Sequence, residues 1–155
     1  MKLNNSPLLL VRQMDKKLKG FQGSTLTFVP SQGWINALRT TLNMSLQQLG
    51  TRLKMTAQGV SKLETREANE AITIKALKEA GEALDMKFVY GFVPKDGSLE
   101  DMIEKRAYEL AKRIVKRTSV TMALEDQSNS KERLKQSLDE MTLDIKKEMP
   151  KNLWD

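Results

Sequence analysis

The stretch from Trp34 to Leu84 constrains the fold most, because its apolar residues recur at helical spacing between closely set helix caps. Ser45 and Thr56 are both good N-cap residues, and each has an apolar residue four positions later. The apolar positions mark a first helix at Leu38 and Leu42, a second at Leu46, Leu49 and Leu53, a third on residues 56–67 and a fourth on residues 72–84. The pattern predicts a small bundle of four short helices.

The fourth of these helices is expected to turn one face toward the bundle core. The residues at core positions are Ile74, Leu77, Ala80, Ala83 and Leu84. Gly81 weakens the helix, since glycine costs about 1 kcal/mol relative to alanine in a helix interior.

Residues 8–21 predict an amphipathic helix ahead of the bundle. Its apolar stripe consists of Val11, Met14, Leu18 and Phe21, and basic side chains occupy the other faces. We expect the stripe to dock either on the chain's own domain or on a second copy of the chain.

Two segments predict short β-strands. Residues 24–30 alternate and stop at a proline, and residues 87–94 place Phe88, Tyr90 and Phe92 on one face. A lone strand leaves its backbone groups unpaired, so we expect these strands to pair with each other or with a second chain. Aromatic residues in a strand can also stack on nucleic-acid bases, but we assign these three to the core.

Two helices are predicted in the last third of the chain. The sequence SLED at residues 98–101 is a capping-box pattern that opens the first, and Ser130 can cap the second. Their apolar stripes are Ile103, Ala107, Leu110 and Ile114 in the first, and Leu134, Leu138, Met141 and Ile145 in the second. The two helices either form a hairpin or exchange with a second subunit.

The composition excludes several classes of function. The chain has no cysteine and no histidine, which removes disulfides, thiolate nucleophiles, the usual zinc sites and the commonest general base. The carboxylate pairs Glu100/Asp101 and Glu125/Asp126 are neighbours in sequence and are explained by helix caps and surface charge. We therefore predict no catalytic residues, no metal site and no cofactor.

The hydropathy of the chain predicts a soluble, cytoplasmic protein. Hydrophobic residues make up 39% of the chain and charged residues 30%, as in ordinary globular proteins. The longest apolar run, Leu8–Val11, is far shorter than a membrane span or the core of a signal peptide.

The positive charge is unevenly distributed along the chain. Residues 1–94 hold 13 lysines and arginines against 7 aspartates and glutamates, and residues 95–155 hold 13 of each, which together give the 26 and 20 of the whole chain. All of the formal net charge of +6 therefore lies in the first part. This indicates an anionic partner, with nucleic acid first among the candidates, or else a well-solvated surface.

Residues Ser45–Leu63 have the layout of a helix-turn-helix. The small Gly50 after Leu49 lets the two helices cross closely, and Leu53, Val60 and Leu63 lock the angle between them. The outer face of the second helix would then be free to enter a DNA major groove. Short helical pairs with similar spacing also occur in unrelated bundles.

The segment ALRTTLNMSLQQLGTRLKMTAQGVSKLE resembles the helix-turn-helix of the lambdoid phage repressors and of the wider xenobiotic-response-element family. The resemblance implies a structural pair between Arg39 and Glu64. It also implies DNA-facing positions on the recognition helix, namely Thr56, Ala57, Gln58, Ser61 and Lys62. Where these repressors often have a glutamine, this chain has Leu46, so Gln47 or Gln48 is expected to take over that contact.

The segments GWINALR, QGVSKLE, TIKALKEAGEALDMKFVYGFVP and MALEDQ are similar to a family called mobile mystery protein A. Members of this family are regulators typically encoded beside a Fic-domain partner. The resemblance implies an autoregulating, antitoxin-like repressor that binds DNA as a homodimer. Its dimer interface is expected either at the strand of residues 87–93 or at the terminal helices.

The candidate DNA-binding residues fall into two groups. In the first group, Gln58 is the best candidate for reading a base, since a glutamine amide can pair bidentately with adenine. Lys62 is expected to bind guanine or a phosphate, and Ser61 and Thr56 to donate hydrogen bonds to DNA. Ala57 is expected to contact a thymine methyl group. The second group, Arg52, Lys54 and Arg66, would supply non-specific attraction. On a palindromic operator, the recognition helices of a dimer would enter successive major grooves about 34 Å apart.

An alternative hypothesis is that the chain inhibits a Fic-domain AMP-transferase through its C-terminal helices. Fic inhibitors carry a helix with Ser or Thr, three residues, Glu, and then Gly or Asn. The sequence TMALED matches at Thr121 and Glu125 but ends on Asp126. Because a second partial match exists at Ser128 and Glu132, the pattern is loose, and Glu125 also fits a solvated turn.

The predicted organisation has three parts in a mainly α chain. Residues 1–30 form an N-terminal helix and short strand, and residues 31–94 form a lambda-repressor-like helix-turn-helix bundle with a dimerising strand. Residues 95–155 form a C-terminal helical extension.

Overall fold

A computed structural model describes residues 6–23, 29–124 and 131–155, with the backbone alone at residues 121–124. Over these residues the chain is mainly α, as predicted. Its helices are α1 (Pro7–Gln22), α2 (Gly33–Thr41), α3 (Leu46–Leu53), α4 (Ala57–Ala68), α5 (Ile74–Ala83), α6 (Leu99–Leu124), α7 (Lys131–Glu148) and a short 3-10 helix, η1 (Lys151–Trp154). None of the helices described is both long and apolar enough to cross a membrane.

The chain divides into two compact units. Helices α2–α5 form one, here called the four-helix unit. Helices α1, α6, α7 and η1 form the other, here called the long-helix unit.

Each helix of the four-helix unit contributes to one apolar core. The core residues are Ile35, Leu49, Val60, Leu63, Ala80 and Leu84. Burial of each leucine, isoleucine or valine side chain contributes about 1.5–3 kcal/mol. The predicted bundle of four short helices is therefore confirmed.

The N-terminal caps of this unit satisfy backbone N–H groups that have no partner inside a helix. The Ser45 hydroxyl oxygen accepts a hydrogen bond from the backbone N–H of Gln48 at 3.1 Å. The Thr56 hydroxyl oxygen accepts one from Gly59 at 3.0 Å. Thr73 caps α5 in the same way, although the sequence analysis did not identify it.

The start of α5 corrects one predicted core position. Ile74, the first residue of α5, is 47% exposed, whereas Ile72 packs against the core together with Leu77. Because Thr73 is the N-cap, Ile72 and Leu77 stand in the relation of a hydrophobic staple, in which the residue before the cap packs on the helix's fourth residue. Ile72, the apolar residue before the cap, thus occupies the core position that was predicted for Ile74.

The prediction of short β-strands is not supported by the structure. Residues 87–94 form neither helix nor strand, and no strand occurs among the described residues. The assignment of the aromatic residues to the core is wrong for Tyr90, which is exposed, and for Phe92, which is 82% exposed; Phe88 is half-buried. A strand needs a partner for its backbone groups, and the described part of a single chain provides none. Residues 24–28, most of the other predicted strand, lie outside the described residues.

The long-helix unit has its own core, which lies between α6, α7 and η1. The buried residues are Ile103, Ala107, Leu110, Ala111, Ile145 and Leu153. The predicted capping box opens α6, since Ser98 N–H donates to Asp101 at 2.8 Å and Asp101 N–H donates to the Ser98 hydroxyl at 3.1 Å. Helices α6 and α7 pack against each other within one chain.

Helix α1 docks on this unit by a polar contact as well as an apolar one. Val11 packs against the core, and the Asp15 carboxylate accepts hydrogen bonds from the backbone N–H groups of Leu99 at 2.8 Å and Glu100 at 3.2 Å. Met14, predicted to lie in the apolar stripe, is exposed. The face of α1 that contacts this unit therefore includes Asp15, whose carboxylate is the hydrogen-bond acceptor for the first turn of α6.

Glu100 joins three helices of the long-helix unit. Its carboxylate accepts hydrogen bonds from Arg12 at 3.0 and 3.1 Å and pairs with Lys146 at 3.2 Å. The hydrogen bond from Arg12, followed by that from Lys146, lowers the pKa of Glu100 to about 2.

Candidate nucleic-acid interface

Helix α4 is held in the four-helix unit by a face that is only half apolar. Val60, Leu63, Glu64 and Glu67 follow the i, i+3, i+4, i+7 spacing of one helix face. The first three are buried, and Glu64 is the one buried charged side chain among the described residues. We call these four residues the inner face of α4. Two of them are carboxylates, which hydropathy alone would not assign to a packed face.

The first carboxylate, Glu64, forms a two-pronged ion pair with Arg39 of α2. Arg39 Nε donates to Oε1 of Glu64, and Nη2 donates to Oε2 at 3.1 Å. Asn36 adds a donor at 2.8 Å, and Arg39 Nη1 also donates to the carbonyl of Met44 at 3.0 Å. The structure therefore brings together the two residues that the sequence resemblance pairs.

The environment of Glu64 favours its charged form despite burial. Burial is the largest single effect and raises the pKa of Glu64, but the hydrogen bonds from Arg39 and Asn36 together with the charge of Arg39 outweigh it. The pKa therefore lies below its ordinary value. The hydrogen bond to Glu64 likewise raises the pKa of Arg39.

The second carboxylate, Glu67, caps the N-terminus of α2. Its oxygens accept hydrogen bonds from the backbone N–H groups of Trp34 at 2.8 Å and Ile35 at 2.9 Å. Gly33 has φ +82°, and a Cβ there would lie 2.8 Å from the Glu67 carboxyl group. The hydrogen bonds from α2 to Glu67 were not predicted from the sequence; their signal is a helix start that lacks a Ser, Thr, Asp or Asn cap.

The opposite face of α4 is exposed and polar. At about 100° per residue, Gln58 and Lys62 lie within about 20° of the direction opposite Val60. Ser61 and Thr65 flank them, and all four side chains are exposed. Thr65, whose hydroxyl donates to the carbonyl of Ser61 at 2.9 Å, belongs to this face although the sequence analysis did not select it. We call Gln58, Ser61, Lys62 and Thr65 the outer face of α4.

The first residues of α4 are placed differently from its outer face. Thr56 is exposed, and its oxygen accepts the cap hydrogen bond from Gly59, so its own O–H group remains a donor. Ala57 is half-buried. Of these two predicted contacts, Thr56 is the more accessible.

The structure distinguishes between Gln47 and Gln48 of α3. Oε1 of Gln48 accepts a hydrogen bond from the backbone N–H of Ser45 at 2.8 Å, which completes a capping box. Gln48 therefore retains only its amide N–H groups for a ligand. Gln47 is exposed, and both groups of its amide remain available.

Gly50 is required by the turn between α3 and α4. A Cβ at this position would lie 2.6 Å from the backbone oxygen of Met55. The Met55 N–H donates to the Gly50 carbonyl at 2.8 Å, and Lys54 adopts the left-handed conformation at φ 56°. The small residue accommodates the turn backbone, which differs from the predicted role in helix crossing.

The basic residues near α4 fall into two classes. Arg52 donates to the carbonyl of Ala83 at 3.0 Å and to Asp85 at 3.1 Å, and so ties α3 to the end of α5. Lys54, Lys62 and Arg66 are exposed, and within the described part of the chain none of them has a carboxylate within 4.0 Å. Their charge is therefore available to an anionic ligand.

The structure does not describe the side chains of the predicted Fic-inhibitory motif. Glu125 lies outside the described residues, and of Thr121 the structure describes only the backbone, which is in α6. The structure therefore gives no contact for either side chain.

Comparison of the chain with protein-family models, curated proteins and solved structures finds no match. A functional assignment therefore depends on the geometry of α3 and α4 and on the charge around them.

Proposed function

We propose that the chain is a sequence-specific DNA-binding transcriptional regulator whose helix α4 enters the major groove. The observation that carries the proposal is the division of α4 into an inner face fixed by Val60, Leu63, Glu64 and Glu67 and an outer face of exposed polar side chains. The twelve residues of α4 span about 18 Å, and a major groove about 12 Å wide admits one helix.

The outer face carries the chemistry that base reading needs. The amide of Gln58 can pair with both the N6 and N7 atoms of adenine, and the ammonium group of Lys62 can bind guanine or a phosphate. Ser61 and Thr65 add hydroxyl groups, and Lys54 and Arg66 add sequence-independent attraction to phosphates. Gln47 extends the contact surface onto α3.

The inner face prepares α4 for this role. A helix whose orientation is already fixed loses little conformational freedom when it binds. The ion pair of Glu64 with Arg39 and the cap that Glu67 provides both hold α4 to α2, so the outer face reaches DNA in one orientation.

The regulator would act on its own operon. The resemblance described in the sequence analysis extends the proposal to an antitoxin-like autorepressor whose operon also encodes a Fic-domain protein. In that arrangement, binding to an upstream operator would lower expression of both genes.

Homodimerisation is part of the proposal, and residues 87–93 are its proposed interface. An antiparallel register centred on Tyr90 would place Phe88 opposite Phe92 of a second copy and Val89 opposite Gly91. The rings of Phe88 and Tyr90 already stack, with centroids 5.7 Å apart, as neighbours on one face of a strand can. The second copy would supply the backbone partner that the described part of one chain lacks, and aromatic cross-strand pairs stabilise such pairing.

Light scattering after size-exclusion chromatography tests the dimer. We expect the wild-type protein to be dimeric and Phe92→Glu to be monomeric, with Tyr108→Glu, a change at an exposed aromatic residue of α6, as the control. A dimer that persists in Phe92→Glu would contradict this interface and favour the terminal helices.

Fluorescence anisotropy with labelled duplexes tests DNA recognition. One duplex carries the DNA upstream of the gene and the other a random sequence. Gln58→Ala is expected to reduce the preference for the upstream duplex by about 5- to 150-fold, which corresponds to one lost base contact of about 1–3 kcal/mol. Gln13→Ala, at an exposed glutamine of α1, is the matched control. An equal loss of affinity for both duplexes would show that Gln58 does not read sequence.

A further inference from the structure

The charge balance of residues 95–155 conceals a strongly basic stretch of α6. This part of the chain holds 13 cations and 13 anions. Between Lys105 and Arg117, however, it holds six cations and a single acid, Glu109. The rest of the segment therefore has an excess of acids, and the positive charge is concentrated on one helix.

Three of the basic residues of this stretch lie on the side of α6 that faces away from its core. At about 100° per residue, Lys105, Lys112 and Lys116 lie within about 40° of one another and about 170° from the middle of the buried face. Arg106 and Arg113 lie about 80–100° around the helix from Lys105, both in the same direction. All five side chains are exposed, and we call them the α6 basic stripe.

The positive charge of the stripe is not compensated by ion pairs. No carboxylate lies within 4.0 Å of any of the five cationic groups in the ranges that the structure describes, whereas Lys146 of the same unit pairs with both Glu100 and Glu104. Glu109 and Asp155 border the end of the stripe near Lys112 and Lys116. Around Lys105 the surface also carries the acids Asp96, Asp101, Glu104 and Asp139. Lys112 and Lys116 stand at the i, i+4 spacing at which like charges repel. An anionic ligand would relieve that repulsion.

The surroundings of the stripe favour duplex DNA over two other anionic partners. A helix that lies on a membrane needs an exposed apolar face, but Ile103, Ala107 and Leu110 are buried in the unit's own core. Single-stranded nucleic acid is bound through several stacking aromatic groups, and Tyr108 is the one aromatic residue in the sequence of α6. Duplex DNA needs only a row of cations.

The length of the stripe also suits a duplex. From Lys105 to Lys116, α6 extends about 16 Å. Over that length a duplex carries about ten phosphates, at one negative charge per about 1.7 Å. The three lysines, which share one side of the helix, can therefore each contact a phosphate.

We infer that the α6 basic stripe is a second DNA-contact surface, which binds phosphates without reading sequence. The inference rests on the proposed function in one respect, namely that the ligand is duplex DNA. It gives the long-helix unit a role of its own, which is to add sequence-independent affinity to the recognition made by α4.

The test compares two triple variants of the full-length protein that lose the same charge. Lys105→Gln/Lys112→Gln/Lys116→Gln removes the centre of the stripe, and Lys131→Gln/Lys135→Gln/Lys147→Gln removes three exposed lysines of α7. Affinity for a random duplex is measured by anisotropy from about 50 to about 400 mM salt. Circular dichroism and Trp154 fluorescence verify that both variants remain folded.

The stripe variant is expected to show a shallower dependence of log affinity on log salt. If all three lysines contact phosphates, the slope decreases by about 2.7, which amounts to about 500-fold weaker binding at 0.1 M salt for proteins of equal affinity at 1 M. The α7 variant should keep a slope close to that of the wild type. Equal slopes for the two variants would overturn the inference, because long-range charge would then account for the whole effect.

Two further measurements separate this inference from the proposed function. If the wild-type protein prefers its upstream DNA but the stripe variant keeps the wild-type slope, the inference fails and the proposed function stands. If the slope differs as expected but no sequence preference exists, sequence-specific regulation fails and the phosphate contact stands.

Loss of binding to anionic vesicles by the stripe variant, with unchanged DNA binding, would assign the stripe to a membrane and overturn the inference.

Discussion

Removal of the Glu64 carboxylate alone is expected to destabilise the four-helix unit far more than its removal together with the Arg39 guanidinium group. Glu64 is 7% exposed, and the Arg39 side chain is 12% exposed. Glu64→Leu eliminates the acceptor of three hydrogen bonds, two from Arg39 and one from Asn36. It leaves the charge of Arg39 with the carbonyl of Met44 as its remaining partner.

The magnitude follows from the burial of the pair. Breaking a buried ion pair by removing one partner costs about 3–5 kcal/mol, and we expect about 3 kcal/mol because Arg39 keeps one hydrogen bond and some access to water. A unit of roughly 60 residues has a total stability of about 3–9 kcal/mol. Glu64→Leu therefore removes at least a third of the stability. Arg39→Met/Glu64→Leu, which replaces the pair by apolar side chains, is expected to lie within about 1 kcal/mol of the wild type.

Urea unfolding followed by tryptophan fluorescence measures these effects on one unit at a time. The chain has two tryptophans, Trp34 in the four-helix unit and Trp154 in the long-helix unit. In a Trp154→Phe background, the fluorescence change reports the unfolding of the four-helix unit. Under the proposed function, the double variant should also keep its preference for the upstream DNA, since the pair lies on the inner face of α4.

Additive effects of the two single substitutions would refute this reasoning. In that case the double variant would be less stable than either single variant, and the coupling free energy between Arg39 and Glu64 would be close to zero. The orientation of α4 would then depend on Val60, Leu63 and the cap that Glu67 provides.

Three further predictions concern backbone and charge. Gly50→Ala should destabilise the four-helix unit by about 1–3 kcal/mol in this urea assay, because its Cβ would meet the carbonyl of Met55 at 2.6 Å. As a control, Gly20→Ala, whose Cβ would have open space, should leave the long-helix unit equally or more stable in the corresponding assay, with Trp154 as the probe in a Trp34→Phe background. The pKa of Glu100 is lowered to about 2, so its contribution to the stability of the long-helix unit should be complete above about pH 4.5 and be lost as the pH falls toward 2. In Glu100→Gln, the stability of this unit, followed by Trp154 fluorescence, should therefore fall less steeply with decreasing pH than in the wild type. Thr56→Ala removes the cap of α4 and should cost about 1 kcal/mol, measured by Trp34 fluorescence, and an unchanged midpoint would contradict the cap.

The helices could be predicted from the sequence because their signals are local. Apolar residues at helical spacing and the caps Ser45, Thr56 and Ser98 each act within one turn of the chain. Ile74 shows the limit of this reasoning, because the helix predicted to begin at residue 72 has Thr73 as its N-cap, and Ile74 in its first turn is exposed. Its neighbour Ile72 took the core position.

Contacts between distant residues could not be predicted from periodicity. Glu67 accepts hydrogen bonds from residues 32 and 33 positions away, and Asp15 accepts them from residues 84 and 85 positions away. Both side chains count as solvated in a hydropathy pattern. For this reason Met14, and not Asp15, was predicted on the face of α1 that packs against the long-helix unit.

The candidate interface was partly accessible from the sequence. Exposure could be expected for Gln58, Ser61 and Lys62, because they alternate with the apolar anchors of α4. The sequence did not reveal that Arg52 and Gln48 are engaged in contacts within the unit, or that Thr65 shares the outer face. The basic stripe of α6 was hidden because charges were summed over sixty residues that contain both signs.

The ionic inner face of α4 has a consequence for how such a chain can change its target. Since none of the outer-face side chains belongs to the core of the four-helix unit, their replacement should alter the preferred operator while the unfolding midpoint stays nearly constant. Operator choice and fold would thus be encoded by separate sets of residues on a single helix of twelve residues. Under the proposed function, new operators would then be reachable by single substitutions, without any compensating change elsewhere in the chain.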